Sequence, residues 1–439
     1  MQHKNYLALA LPLTLSTITT PLLGVVDTAV VGQLSNASYI GGVAIGTIIF
    51  NTMYWLFGFL RVSTSGFAAQ ASASLDKEKH AMALMRPFLV AFIVGLLFVL
   101  IQQPILHYSL SFLGASDAVN SSASAYFSIR IWGAPFALAN YVILGWLIGM
   151  SYIKATLILQ ISTNVLNIIL CILSVHVWDL GVAGVGASTL IAEIFSCVFG
   201  IVLLRKYAGG IWQHPFVQVL RRAVDPKPMW QMMKVNRDLF IRTICLLIVF
   251  NLFTAKGAAF GEDMLAANAI LIQIHYMMAY FFDGFANASS IVAGRALGER
   301  NEKLFSQSLR LSLQWGLGIG VTLALLFLAG QKWIYPLFSD QQHIIELTGS
   351  YANWLVLFPL VASLGLVHYG VFTGVTEVRF VRNSMIFAVL LYLAALYALQ
   401  PLGNHGLWIA FLLFSLGRSV FLIMYVPKLR RLFQQTAAA

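Results

Sequence analysis

Charge is what this sequence has least of. Only 10% of its residues are Asp, Glu, Lys or Arg, where soluble domains carry roughly a quarter. Hydrophobic residues make up 59%. Together these exclude a soluble core of this size and point to a polytopic membrane protein. Cysteine is scarce: Cys171, Cys197 and Cys245 are the three present. All lie in apolar runs without CxxC spacing, so neither disulfide nor zinc chemistry is indicated. Acidic residues number 16 against 27 basic ones, a net charge of +11. The basic residues sit in loops between apolar runs, which argues against a nucleic-acid partner. Catalytic signatures are missing too: there is no HExxH, GxSxG or P-loop. None of the nine histidines has metal-ligand spacing with another. An enzyme is not expected, nor a cofactor or a firm metal site. No cleavable signal peptide stands out, since only Lys4 precedes a first apolar run too long for a signal h-region.

What is there is a series of long apolar runs. Twelve are near spanning length: 8–32, 41–70, 87–110, 124–150, 155–175, 182–204, 236–257, 264–294, 308–330, 348–374, 383–400 and 405–427. Open sheet edges cannot face lipid, so an all-α bundle of twelve transmembrane helices follows. Lys and Arg set its orientation. The even-numbered connections and both termini hold 21 of them, and the odd-numbered connections hold two, Lys256 and Lys332. That asymmetry places both termini in the cytoplasm. The basic, proline-containing stretch 208–235 separates an N-lobe, 1–207, from a C-lobe, 236–439. The halves repeat at an offset of 225: Gly32 falls on Gly257, Phe57 on Phe282, and Ala71 on Ala296. "LGVAG" and "LGNHG" open the sixth and twelfth spans alike. Two like-oriented halves form a parallel repeat, which is a transporter architecture.

Polar residues inside the spans are the candidate functional groups. "TTPLLGVVDTAVVGQL" carries Asp27 within an apolar helix, with Thr20 and Gly24 on its face. A mid-membrane carboxylate costs roughly 2.5 to above 10 kcal/mol and persists where it finds partners or a proton. Pro21 removes a backbone bond and bends the first helix below it. Gln160, Asn164, Asn167 and Cys171 share one face of the fifth helix. Thr189, Glu193 and Ser196 share one face of the sixth. These stripes are either a polar chamber around Asp27 or hydrogen-bond glue between helices. Tyr126 is a further cavity candidate. The eighth helix has a stripe of its own, with Tyr280, Asp283 and Asn287. Arg61, Arg130, Arg242 and Arg418 fall within or near spans; Arg130 and Arg242 are expected to snorkel or pair locally.

The opening "LALPLTLSTITTPLLGVVDTAVVGQL" with "YIGGVAIG" closely resembles multidrug and toxic compound extrusion (MATE) transporters. "FLRVSTSGFAAQA", "NVLNIIL" and "FFDGFANAS" resemble its DinF-like branch. The resemblance covers essentially the whole chain. It implies secondary efflux of cationic or amphipathic drugs, driven by H+ or Na+ and placed in a bacterial inner membrane. It makes Asp27 the coupling carboxylate and Pro21 the helix kink. Asn167 and Thr189 match positions lining the cation site, and Asn164 is a weaker match. Three departures stand out. The acid expected four residues after Asn167 is Cys171. A usual Gln is Arg295, and a nearby Glu is Ser290. The acids of the NorM branch in helices 7 and 10 have no clear counterparts. Sodium needs several hard oxygens with negative charge among them, whereas a single Asp can carry one proton. H+ coupling is therefore favoured over Na+ at Asp27.

Two other readings are weighed against efflux. A flippase of lipid-linked precursors would need many Arg and Lys in its cavity, and the embedded basic residues here are few and scattered along the chain. An integral membrane transferase would need a His, Asp or Glu cluster at one membrane face, and none is apparent. No GxxxG seam is convincing, and a monomer is the expectation.

Overall fold

The computed structural model describes residues 2–32, 37–114, 116–207 and 216–438. Side chains at 20–29, 37, 216–217 and 436–438 lie outside that description, so the expectations for Thr20, Pro21, Gly24 and Asp27 fall outside the described residues. Among the described residues there are helices and no strands. The first half comprises α1 (His3–Val31), α2 (Ala37–Phe57), α3 (Phe59–Ala71), α4 (Lys77–Leu100), α5 (Gln102–Leu113), α6 (Asp117–Arg130), α7 (Ala134–Gly149), α8 (Ile153–Ile172) and α9 (Gly181–Tyr207). After α10 (Phe216–Ala223) come α11 (Pro226–Ala258), α12 (Glu262–Gly298), α13 (Glu302–Ile334), α14 (Gln342–Gly374), α15 (Arg379–Ala398), α16 (Gly403–Met424) and α17 (Val426–Ala438). Among the described residues eleven stretches are long and apolar enough to cross a bilayer. α1, at 29 residues, has the length of a further span. Helix is the form these runs must take, because lipid offers no partner to a backbone N–H or C=O.

The chain divides into two compact units, Ile18–Met233 and Met1–Thr17 with Lys234–Ala439. The first seventeen residues group with the later helices because of polar contacts on α12. Tyr6 Oη donates to the Phe285 carbonyl at 3.2 Å and lies 2.7 Å from Ser289 Oγ. Thr17 Oγ1 donates to the Tyr280 carbonyl at 2.8 Å. Gly284 leaves room for Thr14, whose backbone a Cβ there would overlap.

The sequence repeat extends to the geometry inside each unit. α6 starts at Asp117 and α7 ends at Gly149; α14 starts and ends at the equivalent Gln342 and Gly374. Both halves cap the preceding equivalent helix with a side-chain oxygen at the same repeat position. Asp76 accepts from the Glu78 N–H at the start of α4, and Asn301 accepts from the Leu304 N–H at the start of α13. Ser151 and Thr376 are equivalent and both have positive φ, 65° and 58°. Closest of all are the glycine contacts. Gly145 and Gly149 of α7 face the carbonyls of Arg61 and Ser65 on α3. Their equivalents Gly370 and Gly374 of α14 face those of Ala286 and Ser290 on α12. A Cβ at any of the four would overlap the facing carbonyl. Small residues permit such close helix contacts in membranes, where dispersion and polar contacts drive association.

The register slips by three residues before the last helix. Gly181 and Gly403 are the matching left-handed glycines, with φ of 54° and 56°. Before Gly181 the first half has the five-residue π-helical turn Leu173–Val177 and then residues 178–180; before Gly403 the second half has only Leu399 and the three-residue 3-10 turn Gln400–Leu402. The caps give a modest test. Asn301→Ala is expected to lower stability by about 1 kcal/mol, and Asp76→Ala by a similar amount. Denaturant midpoints of the purified proteins check this. Unchanged midpoints would remove the caps as contributors.

Candidate functional site

The polar stripe of the fifth expected span lies on α8, which packs against α9. Both helices are otherwise apolar, so polar groups turned away from lipid must find partners inside the unit. Asn167 is buried, and its Nδ2 donates to Thr189 Oγ1 at 3.4 Å. Thr189 Oγ1 donates in turn to the Val185 carbonyl at 3.2 Å. Asn167 Oδ1 is buried without a hydrogen-bond partner among the described residues. A buried amide oxygen left over in this way is a hard acceptor, open to a cation, a proton donor or water. Cys171 is a buried thiol one turn along α8. Asn164 and Gln160 continue the stripe in the other direction and are half-buried.

One turn beyond Thr189, Glu193 meets a different set of groups. Arg130 of α6 approaches Glu193 Oε1 at 3.7 Å, with both side chains at most 14% exposed. Arg130 Nη1 donates to Tyr126 Oη at 2.6 Å. The guanidinium lies 4.5 Å from the Phe50 ring centroid, 5.9 Å from Tyr54 and 5.6 Å from Tyr126. Aromatic faces and one carboxylate thus stand in for the water a guanidinium would otherwise hold. The match is incomplete. Glu193 Oε2, Arg130 Nε and Tyr54 Oη have no hydrogen-bond partner among the described residues. Gly133 makes the space for the carboxylate, since a Cβ there would overlap Glu193 Oε2. Asn140 Nδ2 donates to the Glu193 backbone carbonyl at 3.0 Å.

The polar residues expected to share one chamber therefore form two groups on α9, one turn apart. Asn167 joins Thr189, and Glu193 joins Tyr126 through Arg130. Arg130 does not snorkel; it pairs inside the unit. Sequence reasoning missed the aromatic surroundings supplied by Phe50 and Tyr54. The available signal was their spacing of four on α2, matched by Tyr126 and Arg130 at the same spacing on α6. In the other unit Tyr280, Asp283 and Asn287 are half-buried along α12. Tyr280 accepts from Thr17 through its backbone, and Asp283 interacts electrostatically with Arg418.

Inward polar groups in a duplicated bundle suit a transporter, and comparison with known proteins decides which kind. The family model MatE matches residues 12–173 and 239–398, once in each half. The chain belongs to the MATE family. This MATE chain is accordingly a multi-pass membrane protein and a transporter, not an enzyme. It is 34% identical to DNA damage-inducible protein F of Escherichia coli strain K12 over 412 residues, covering 92% of this chain and 88% of that one. The DinF-like resemblance in the sequence agrees with that relative. It is 22% identical to the probable multidrug resistance protein NorM of Shewanella oneidensis, covering 93% of this chain and 90% of the relative. A MOP superfamily transporter from Pyrococcus furiosus superposes with a TM-score of 0.86 at 18% identity, covering 100% of this chain and 97% of that one. That likeness concerns the fold, which is the all-α MATE bundle.

Proposed function

We propose that this MATE chain exports cationic and amphipathic small molecules in exchange for protons, by alternating access. The observation that carries the reading is the buried Asn167–Thr189 pair with its spare amide oxygen. It lies in the same unit as Asp27, at positions the family resemblance assigns to a cation site. The printed name of the NorM relative, a probable multidrug resistance protein, supports drug-like cargo. Cys171 supports protons over sodium: a neutral thiol replaces the second carboxylate that a sodium ion would need. Protonation of Asp27 from outside would neutralise it and release its polar partners on α8 and α9. α1 would then bend at Pro21, shrink the N-lobe cavity and expel the drug. Proton release to the cytoplasm would reset the cycle. The lobes 1–207 and 236–439, joined by the basic stretch 208–235, are the moving parts. The protein acts as a monomer in a bacterial inner membrane with both termini cytoplasmic, as the loop charges require.

The test is efflux of a fluorescent cation from vesicles, with pH and Na+ gradients imposed separately. Transport by wild type is expected to follow the pH gradient and to disappear in Asp27→Asn. Transport that follows Na+ would assign the coupling to sodium. A folded wild type without gradient-driven transport would sink the efflux reading and favour a lipid-precursor flippase.

A further inference from the structure

The C-terminal unit carries more positive than negative charge at the depth of its spans. Arg242 of α11 lies with its guanidinium 4.4 Å from the Tyr369 ring centroid. Arg418 of α16 interacts electrostatically with Arg242, with Asp283 of α12 and with Tyr369 of α14. Four helices therefore place a second guanidinium and one carboxylate within electrostatic reach of Arg418. Both arginines point into the unit. Arg242 shares its helix face with the buried Leu239, Leu246 and Val249, and Arg418 shares its own with Phe411, Ser415 and Leu422.

Among the described residues no other acid pairs with either arginine. Between residues 264 and 298, and throughout α11 beyond Asp238, α15 and α16, Asp283 is the only acidic residue. Asp238, one turn before Arg242, is already engaged. Its Oδ1 accepts from Arg382 Nη1 at 2.8 Å and from Arg237 Nη2 at 2.8 Å. Arg242 Nε is buried and has no hydrogen-bond partner among the described residues. A guanidinium at membrane depth that is short of counter-charge is costly. A fork of N–H donors is also the group best matched to a carboxylate or phosphate. The first half has no such excess: Gly58 stands at the position equivalent to Asp283 and Thr17 at that of Arg242, and Arg130 there is balanced by Glu193.

We infer that Arg242 and Arg418 form an anion-accepting site in the C-terminal unit, which takes the carboxylate or phosphate head of an amphiphile in competition with Asp283. About two turns away along α11 and α16 lie aromatic groups that suit the apolar part of such a molecule: Phe250 packs on Tyr276 at 5.2 Å and on Phe411 at 5.7 Å. This site is opposite in charge preference to the cation site of the proposed function and does not depend on it. Asp283 is the internal stand-in for the ligand. Removing its charge should therefore strengthen binding rather than weaken it.

The experiment uses the full chain in phosphatidylcholine nanodiscs, titrated with 11-(dansylamino)undecanoate and, separately, with its uncharged methyl ester. Wild type is expected to bind the carboxylate saturably and the ester no better than empty nanodiscs do. Arg242→Gln and Arg418→Gln should each weaken carboxylate binding by about tenfold, and Asp283→Asn should tighten it by a similar factor. Equal binding of acid and ester by wild type would overturn the site, and that comparison needs no variant to fold. Weaker binding in Asp283→Asn would overturn it as well, because a merely structural aspartate has no reason to compete with a ligand. A second arm replaces part of the lipid with phosphatidylglycerol. Suppressed probe binding there assigns the site to a lipid phosphate, and undiminished binding assigns it to a free amphiphile. No ion gradient enters these measurements, so they stand or fall apart from the efflux proposal.

Discussion

Arg130→Leu is expected to lower the stability of the protein by about 3–5 kcal/mol, while Arg130→Leu combined with Glu193→Leu lowers it far less. The single change leaves the Glu193 carboxylate among Phe50, Tyr54 and Tyr126 with no cation beside it. It also strips Tyr126 Oη of its donor. The double change removes both charges and replaces them with side chains that suit their surroundings. Replacing a buried ion pair by apolar residues is often neutral, whereas breaking it is not. The pair here is long, at 3.7 Å, with one oxygen and one nitrogen unmatched, so a near-neutral double variant is the sharper half of the expectation. Unfolding of the purified proteins in denaturant closes the cycle. If the two single effects simply add in the double variant, Arg130 and Glu193 are not an energetic unit.

The second large effect concerns the close helix contacts. Gly149→Val and Gly374→Val should each prevent recovery of folded protein, and the alanine versions should each cost about 1–3 kcal/mol. The obstruction is a backbone carbonyl, Ser65 for one and Ser290 for the other, so no rotamer change relieves it. The whole of α7 must withdraw from α3, or α14 from α12. Because the two contacts are equivalent under the repeat, the two alanine variants should lose similar amounts of stability. Recovery of monodisperse protein and its denaturation midpoint provide the readout. An alanine variant as stable as wild type would mean that these helices part freely and that the glycines are not what sets their distance.

Much of this architecture could be read from the chain alone. The apolar runs locate the spans, because lipid forces an apolar run to be helix, but the helices starting at Lys77 and Pro226 begin ten residues before their runs. The offset of 225 was visible in a handful of identities, and it returns in caps, positive-φ residues and glycine contacts. The α8 stripe was legible because helical spacing puts Asn164, Asn167 and Cys171 on one face. Partners across helices were not legible. Nothing in the spacing of Arg130 says that Glu193, two intervening helices later in the chain, will meet it. Nor does spacing show that Arg242 and Asp283, so distant in sequence, both come within electrostatic reach of Arg418. Those pairings depend on helix rotation and crossing, which single-helix periodicity does not encode. The same limit explains why α1 read as wholly part of the first half, although Tyr6, Thr14 and Thr17 pack on α12.

That last contact has a consequence for how the chain is made. Thr17 and the Tyr280 carbonyl it bonds are 263 residues apart. At roughly 5–20 residues per second of synthesis, α1 waits for tens of seconds before α12 leaves the ribosome. Through that interval the hydroxyls of Tyr6 and Thr17 sit in a new membrane helix without their final acceptors. The first helix inserted is thus among the last to be completed. A chain stalled before α12 is therefore an unfinished object from its very first residues.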